Sequence, residues 1–214
     1  IARQFSEEAS CDDEPVPVIL AQEVEFLMTE SQQMECEVAG THPELYFCPD
    51  LKGYGWVFRK GNVVNIGLGR EHETRLSEHV AAFCDFLHAS GRIRFELPTR
   101  FHGHAYRLRT QVPRVSATNV LLIGDAAGLA SSHSGEGIRP AIESGLLAAS
   151  ALLDSSDSQA VATQYAARLQ ARMGLENAES SIHWLPFAAR TWLGQMLLRN
   201  RWFTRHVVLD RWFL

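Results

Sequence analysis

Little in this sequence points to a metal site, a disulfide framework or a membrane span. None of the four cysteines, Cys11, Cys36, Cys48 and Cys84, forms a C-x-x-C pair or falls at metal-ligand spacing, so reduced thiols in a reducing compartment, the cytoplasm, are expected. No run approaches the roughly 18 apolar residues that a membrane-crossing helix needs, and the start lacks the charged-then-apolar order of a signal peptide. Basic residues number 20 against 25 acidic ones, a formal net charge of −5. With no overall positive field to draw a phosphate backbone, nucleic acid is not expected as a partner. The nucleophile elbow G-x-S-x-G is missing, and so is the dinucleotide fingerprint G-x-G-x-x-G. Gly67-x-Gly69 lacks a third glycine, and Gly135-x-Gly137 has Pro140 where it would fall.

What is present is the composition of an ordinary globular chain: 214 residues, 46% apolar and 21% charged. Val16–Phe26, Met34–Val38, Glu44–Cys48, Tyr54–Arg59 and Asn62–Leu68 read as strands, the last two as hairpin arms turned at Lys60 and Gly61. Five strands without an intervening helix imply an antiparallel sheet. Leu76, Val80, Phe83, Cys84 and Leu87 then recur at helical spacing, with Gly91 as the stop. Gly103–Thr110 reads as a further strand. Val120–Ile123 is wholly apolar and suits a buried strand with neighbours on both sides. Helices are expected over Ile138–Leu153, from Gln159 towards Trp184 with a stop at Pro186, and over Ala188–Leu214 with a break near Asn200.

The chemistry concentrates in Asn119–Ala149, NVLLIGDAAGLASSHSGEGIRPAIESGLLAA: an apolar strand, a tight turn with one acid, a glycine-rich loop and a helix. Small residues at Gly124, Ala126, Ala127 and Gly128 let a bulky ligand approach the backbone, and Asp125 can accept hydrogen bonds from hydroxyl groups. Gly135 and Gly137 leave amide N–H groups uncovered where the helix starts, an end that carries partial positive charge. On the strand upstream, Tyr54, Trp56 and Phe58 alternate and so share one face. Core packing and an apolar pocket are equally good readings of that face, and either would bury Trp56.

The run GDAAG followed by SGEGI and an alanine-rich helix resembles the second flavin-binding motif of the family that joins geranylgeranyl reductases to aromatic flavin hydroxylases. The resemblance implies FAD as cofactor, with Asp125 on the ribityl hydroxyls and the amides around Gly137 and Ile138 facing the pyrimidine edge of the ring. A reduced flavin is negative near N1 and C2, which a helix N-terminus stabilises. LKGYGWVFRKGNVVNIGLG, Leu51–Gly69, is similar to the reductase branch's aromatic strand and the Gly-x-Gly strand end that follows it. Two departures stand out: Ser132 occupies a usual proline position before the loop, and Arg59 ends the aromatic strand where proline is usual, a charge expected near the pocket mouth. The opening IARQFS resembles the residues just after the family's DG pair, and Ile1 is an odd first residue. The chain is therefore expected to begin downstream of the G-x-G-x-x-G segment, so the seat for adenosine and pyrophosphate is incomplete.

The expected architecture is α+β: a substrate-binding antiparallel sheet and helix over 1–102, the C-terminal part of an FAD-binding α/β domain over 103–153, and a helical region over 154–214. The cofactor contacts are Gly124, Asp125, Ala126, Gly128, Gly135, Gly137 and Ile138, and the substrate pocket is Tyr54, Trp56 and Phe58. The implied activity is that of an FAD-dependent dehydrogenase or reductase acting on an apolar small-molecule or lipid substrate, isoprenoids included, with NAD(P)H a candidate electron donor. A flavin monooxygenase or halogenase-like enzyme and a non-catalytic fragment that binds lipid or a partner are the alternatives. No catalytic acid is identified. His102 and His104 lack a nearby third ligand, so a solvated strand edge is favoured over a metal site. A hydrolase built from Asp125, His133 and Ser134 is disfavoured without an elbow motif, and Arg139 is expected to pair with Glu136 or Glu143. Trp184, Trp192, Trp202 and Trp212 interleave with Arg190, Arg199, Arg201, Arg205 and Arg211. Packing of these helices is favoured, with peripheral membrane contact as the competing reading.

Overall fold

The computed structural model describes residues 18–71, 75–109, 116–117, 119–131, 134–173 and 187–213. Ser132, His133, Trp184, Pro186 and Cys11, each singled out in the sequence, lie outside these residues, as do the side chains of Arg190, Arg211 and Trp212. The chain divides into two compact units: Val18–Ala105 with Phe187–Gln195, and a second that gathers the remaining described residues from Tyr106 onward.

The first unit is built on a five-stranded sheet, β1 (Val18–Leu27), β2 (Glu44–Phe47), β3 (Gly53–Lys60), β4 (Val63–Glu71) and β5 (His102–Arg107), in the order β2-β3-β4-β1-β5. The pairs β2/β3, β3/β4 and β4/β1 are antiparallel. Alternation along the strands sends Val24, Val57, Val64, Ile66 and Leu68 to one face, where they form a core with Leu76, Val80, Phe83 and Leu87. Those four come from one stripe of α2 (Leu76–Ala89), the helix expected from their spacing. Phe83 packs against the bare Cα of Gly55, where an added Cβ would lie 2.6 Å from the ring. The helix ends at Gly91, whose φ of 71° lets Arg92 N–H bond back to the Leu87 carbonyl at 3.0 Å. Of the described cysteines, Cys36 and Cys48 are buried and Cys84 half-buried, all as free thiols.

Three expectations change here. Met34–Val38 is not a strand. Glu30–Met34 is a short helix, α1, held by a capping box between Thr29 and Gln32, and beyond it Cys36 makes only an isolated bridge with Ile93. The β3–β4 turn falls on Gly61 and Asn62, one residue later than read, because Lys60 pairs with Val63 and the positive φ of 62° sits at Gly61. Arg59 shares the core-side face with Val57 and donates to the Cys36 carbonyl at 2.9 Å, so its charge points away from the aromatic face.

In the second unit Ser116–Ala117 (β6) and Val120–Leu121 (β7) form a two-stranded antiparallel pair. The expected buried strand with neighbours on both sides is not what is seen: among the described residues β7 pairs only with β6, and Ile123 is 44% exposed. Leu121 and Leu122 are instead covered by the core of α3 (Ile138–Asp154) and α4 (Ser158–Met173), centred on Tyr165, Leu169 and Ala151. Tyr165 is fully buried, and its hydroxyl donates to the Leu122 carbonyl at 2.6 Å, satisfying a backbone group that a flanking strand would otherwise take. The C-terminal helices α5 (Phe187–Leu198) and α6 (Arg201–Phe203) break at Asn200, whose side chain caps α6, and a π-helical stretch, Thr204–Phe213, follows.

Candidate functional site

The glycine-rich segment is shaped by three positive-φ glycines. Gly124 (53°) opens a 3-10 turn over Gly124–Ala127 and Gly128 (64°) closes it, with Gly128 N–H bonded to the Asp125 carbonyl at 3.0 Å. An added Cβ at Gly124 would stand 2.9 Å from the Ala141 methyl, so this turn lies directly on the first turn of α3. The contact is polar as well as close. Gly124 N–H donates to Ser144 Oγ at 3.0 Å, and that hydroxyl donates on to the Ala141 carbonyl at 3.1 Å, in a fully buried setting.

Gly135 (φ 68°) returns the chain towards α3, and its N–H bonds to the Ser131 carbonyl at 2.9 Å. A Cβ there would lie 3.0 Å from the Tyr106 hydroxyl. Gly137 is the N-cap of α3, and an added Cβ would sit 2.9 Å from Asp125 Oδ1, so the acid of the turn and the start of the helix meet with no side chain between them. In the first turn of α3, Arg139 N–H is taken by Glu136 Oε1 at 2.8 Å, Pro140 has no N–H, and Ala141 N–H closes on the Gly137 carbonyl at 3.0 Å. Among the described residues no hydrogen bond engages the N–H of Gly137 or Ile138, and Ile138 is 74% exposed. Asp125, Gly137 and Ile138 thus bring a carboxylate and two available amide donors together at the start of α3, beside the exposed Ala126, whereas Gly124 is buried against Ala141 and Gly135 lies under the Tyr106 hydroxyl.

Arg139 forms an ion pair with Glu143 (Nε to Oε1, 3.0 Å), and Arg172 of α4 meets the same oxygen at 2.6 Å. Burial pushes the Glu143 carboxyl up, but the two guanidinium hydrogen bonds outweigh it and hold Glu143 below its ordinary range. Ser134 is buried and its Oγ accepts from Glu136 N–H at 3.2 Å, a bond that shapes the loop. Ser144, Tyr106 and Tyr165 were not singled out from sequence. A serine inside the run AIESGLLAA was the available signal for Ser144, since a polar side chain on the buried stripe of an apolar helix needs a partner.

The aromatic residues lie in the other unit, on the sheet face opposite its core. Tyr54, Trp56 and Phe58 are half-buried, so Trp56 is less enclosed than either sequence reading required. They form a ladder, with 6.2 Å between the Tyr54 and Trp56 rings and 6.4 Å between Trp56 and Phe58, the latter pair stacked. Trp56 lies over Gly67, where an added Cβ would come within 2.3 Å of the indole, and its Nε1–H donates to Asn65 Oδ1 at 2.8 Å. Beside Trp56 and Phe58 a cavity of about 230 Å³ is bordered by Glu23, Glu25, Lys60 and Asn65. His102 and His104 are exposed on β5, and among the described residues no group of acidic, histidine or cysteine side chains could hold a metal.

No protein-family model matches the sequence. Individual proteins do. The chain is 30% identical over 133 residues to the digeranylgeranylglycerophospholipid reductase of Methanococcus vannielii, covering 60% of this chain and 34% of that protein. It is 35% identical over 114 residues to the menaquinone reductase of Mycobacterium tuberculosis, covering 50% and 28%. It is 36% identical over 116 residues to the chloroplastic geranylgeranyl diphosphate reductase of Oryza sativa subsp. japonica, covering 53% and 24%. Among solved structures, a geranylgeranyl bacteriochlorophyll reductase-like protein from Thermoplasma acidophilum superposes with a TM-score of 0.58 at 21% identity, over 85% of this chain and 43% of that one. The fold is therefore the mixed helix-and-sheet fold of that reductase-like protein. In sequence the chain is similar to reductases named for digeranylgeranylglycerophospholipid, menaquinone and geranylgeranyl diphosphate, and it spans about a third or less of these curated relatives.

Proposed function

We propose that this chain is the substrate sheet and ring-facing loop of an FAD-dependent reductase or dehydrogenase that moves a hydride between flavin and a carbon centre of an apolar substrate, isoprenoids among the candidates. The observation that carries this reading is the meeting of Asp125 with Gly137, with two uncommitted amide donors at the start of α3. Asp125 would accept from the ribityl hydroxyls, while Ala126 and Gly128 carry too little side chain to obstruct close approach. Gly137 and Ile138 would donate to the electron-rich edge of the ring, where the positive end of α3 adds its field. When bound, the flavin supplies the hydride chemistry. Tyr54, Trp56 and Phe58 would offer the apolar substrate its surface, and NAD(P)H remains the candidate electron donor. The C-terminal helices would bring the protein to a lipid surface where such substrates reside.

Titration of the chain with FAD, followed by flavin fluorescence and visible absorbance, tests this reading. Quenching with a shifted band is expected. Absence of any spectral change with FAD, FMN or riboflavin up to millimolar concentration would refute it.

A further inference from the structure

The face that carries the aromatic ladder is graded in polarity. Across the register, Tyr54 is followed by Gly69 and Ala21, Trp56 by Gly67 and Glu23, and Phe58 by Asn65 and Glu25. One end of the shelf is apolar and small. The other end is acidic: Asn65 Nδ2 reaches Glu23 Oε2 and Glu25 Oε2 at 3.3 Å each, while its Oδ1 accepts the Trp56 indole N–H.

We infer that this cavity selects an amphiphile whose polar end donates hydrogen bonds, a hydroxyl or an ammonium, and rejects one with an anionic phosphate end. The amide of Asn65 spends both donors on the glutamates and its oxygen on Trp56, so the wall it builds presents carboxylate oxygens. Ionised carboxylates only accept. A group with O–H or N–H finds partners there, whereas a phosphate brings more acceptors and like charge into the same space. Among the described residues Lys60 is the one cation bordering the cavity, against two carboxylates, and it stands at the exposed end of β3. The aromatic faces of Trp56 and Phe58 suit the adjoining apolar chain, and a cation over an indole is further stabilised. This selectivity rests on the reading of the face as the substrate surface.

Decylamine, decanol and decyl phosphate, each below its micelle-forming concentration, separate the possibilities. Binding is read by calorimetry and by the fluorescence difference between the wild type and Trp56→Phe, which isolates one tryptophan of five. Decylamine and decanol are expected to bind at least about tenfold more tightly than decyl phosphate at low salt, and whichever of the two leads identifies the donor as ammonium or hydroxyl. Because Glu23 and Glu25 are exposed, the double variant Glu23→Gln with Glu25→Gln should fold, and it should shrink the gap to decyl phosphate to about threefold or less. Added salt should narrow the decylamine gap in the wild type without any mutation. Equal or tighter binding of decyl phosphate to the wild type, or a gap that neither the variant nor salt changes, overturns the selectivity while leaving the face a site for apolar chains. If none of the three changes the Trp56 signal, the substrate-surface reading falls with it.

Discussion

Asp125 and Gly137 are twelve residues apart in sequence yet so close in space that a methyl group on Gly137 would lie 2.9 Å from the Asp125 carboxylate oxygen. Two consequences follow for the pair. The carboxylate is held at the positive end of α3, and the helix start cannot carry a side chain without displacing the acid.

Gly137→Ala should therefore weaken FAD binding by about tenfold or more while costing little in folding, because alanine at an N-cap loses only on the order of 1 kcal/mol. Asp125→Ala should weaken binding too, and the double variant should lose less than the sum of the two, since the clash disappears with the carboxylate. Fluorescence titration of the three variants gives the coupling. Strict additivity would mean that the two residues act independently.

Ser144→Ala tests the polar link beneath the turn. It removes the acceptor of Gly124 N–H from a fully buried site and leaves that donor without its partner. Urea unfolding should show a loss of about 1–3 kcal/mol. Ser144→Thr should not rescue it, since a second branch would crowd a position with no exposed surface.

The elements that could be read from sequence are those whose signal is local. The hydrophobic stripe Leu76, Val80, Phe83 and Leu87 contains its own period, and GDAAG with GEGI contains its own turns and helix start. What escaped depended on partners far along the chain. Met34–Val38 alternates enough to suggest a strand, but Thr29 and Gln32 cap a helix over its first residue, and the bridge of Cys36 with Ile93 is isolated. Val120–Ile123 is apolar enough for a central strand, yet its outer carbonyl is satisfied by Tyr165, 43 residues away in sequence. The charge expected near the pocket mouth at Arg59 lies instead on the core side with Val57, because a one-residue alternation decides which side of a strand a charge occupies and proline usage in relatives says nothing about that. The gradient from Ala21 to Glu25 across from the aromatics needed strand order β3-β4-β1, which no motif encodes.

Arg70 and Asp50 give the sheet unit an acid-sensitive tie. The Arg70 side chain is 6% exposed and its guanidinium forks onto Asp50 at 2.7 and 3.2 Å. Those hydrogen bonds hold the Asp50 carboxyl below its ordinary range. A lowered carboxylate pKa contributes stability that is present above the unfolded value, about 3.9, and is lost as pH falls through the lower folded value. Denaturant unfolding from pH 6 to pH 2 should thus show a fall below about pH 4 that is smaller in Asp50→Asn. At pH 7 the same variant should be destabilised by about 1–3 kcal/mol, less than for a fully enclosed pair because Asp50 keeps 35% of its side chain exposed.

The C-terminal helices make the last prediction, because their exposed apolar residues and their charge point the same way. Trp192 is 62% exposed, Met196 50% and Trp202 66%, and no aspartate or glutamate occurs from Phe187 to Leu209, a stretch that holds Arg190, Arg199, Arg201 and Arg205. Exposed tryptophan among arginines suits the boundary between anionic headgroups and acyl chains. No helix among the described residues is long and apolar enough to cross a membrane. The protein should co-sediment with vesicles containing phosphatidylglycerol more than with pure phosphatidylcholine, and salt should reduce the difference. Trp192→Ser with Trp202→Ser should lower binding to both kinds of vesicle, since it removes apolar insertion. Arg199→Gln with Arg201→Gln should lower only the phosphatidylglycerol component, by about 1 kcal/mol per arginine. Equal binding of wild type and both double variants would assign these helices to protein packing instead.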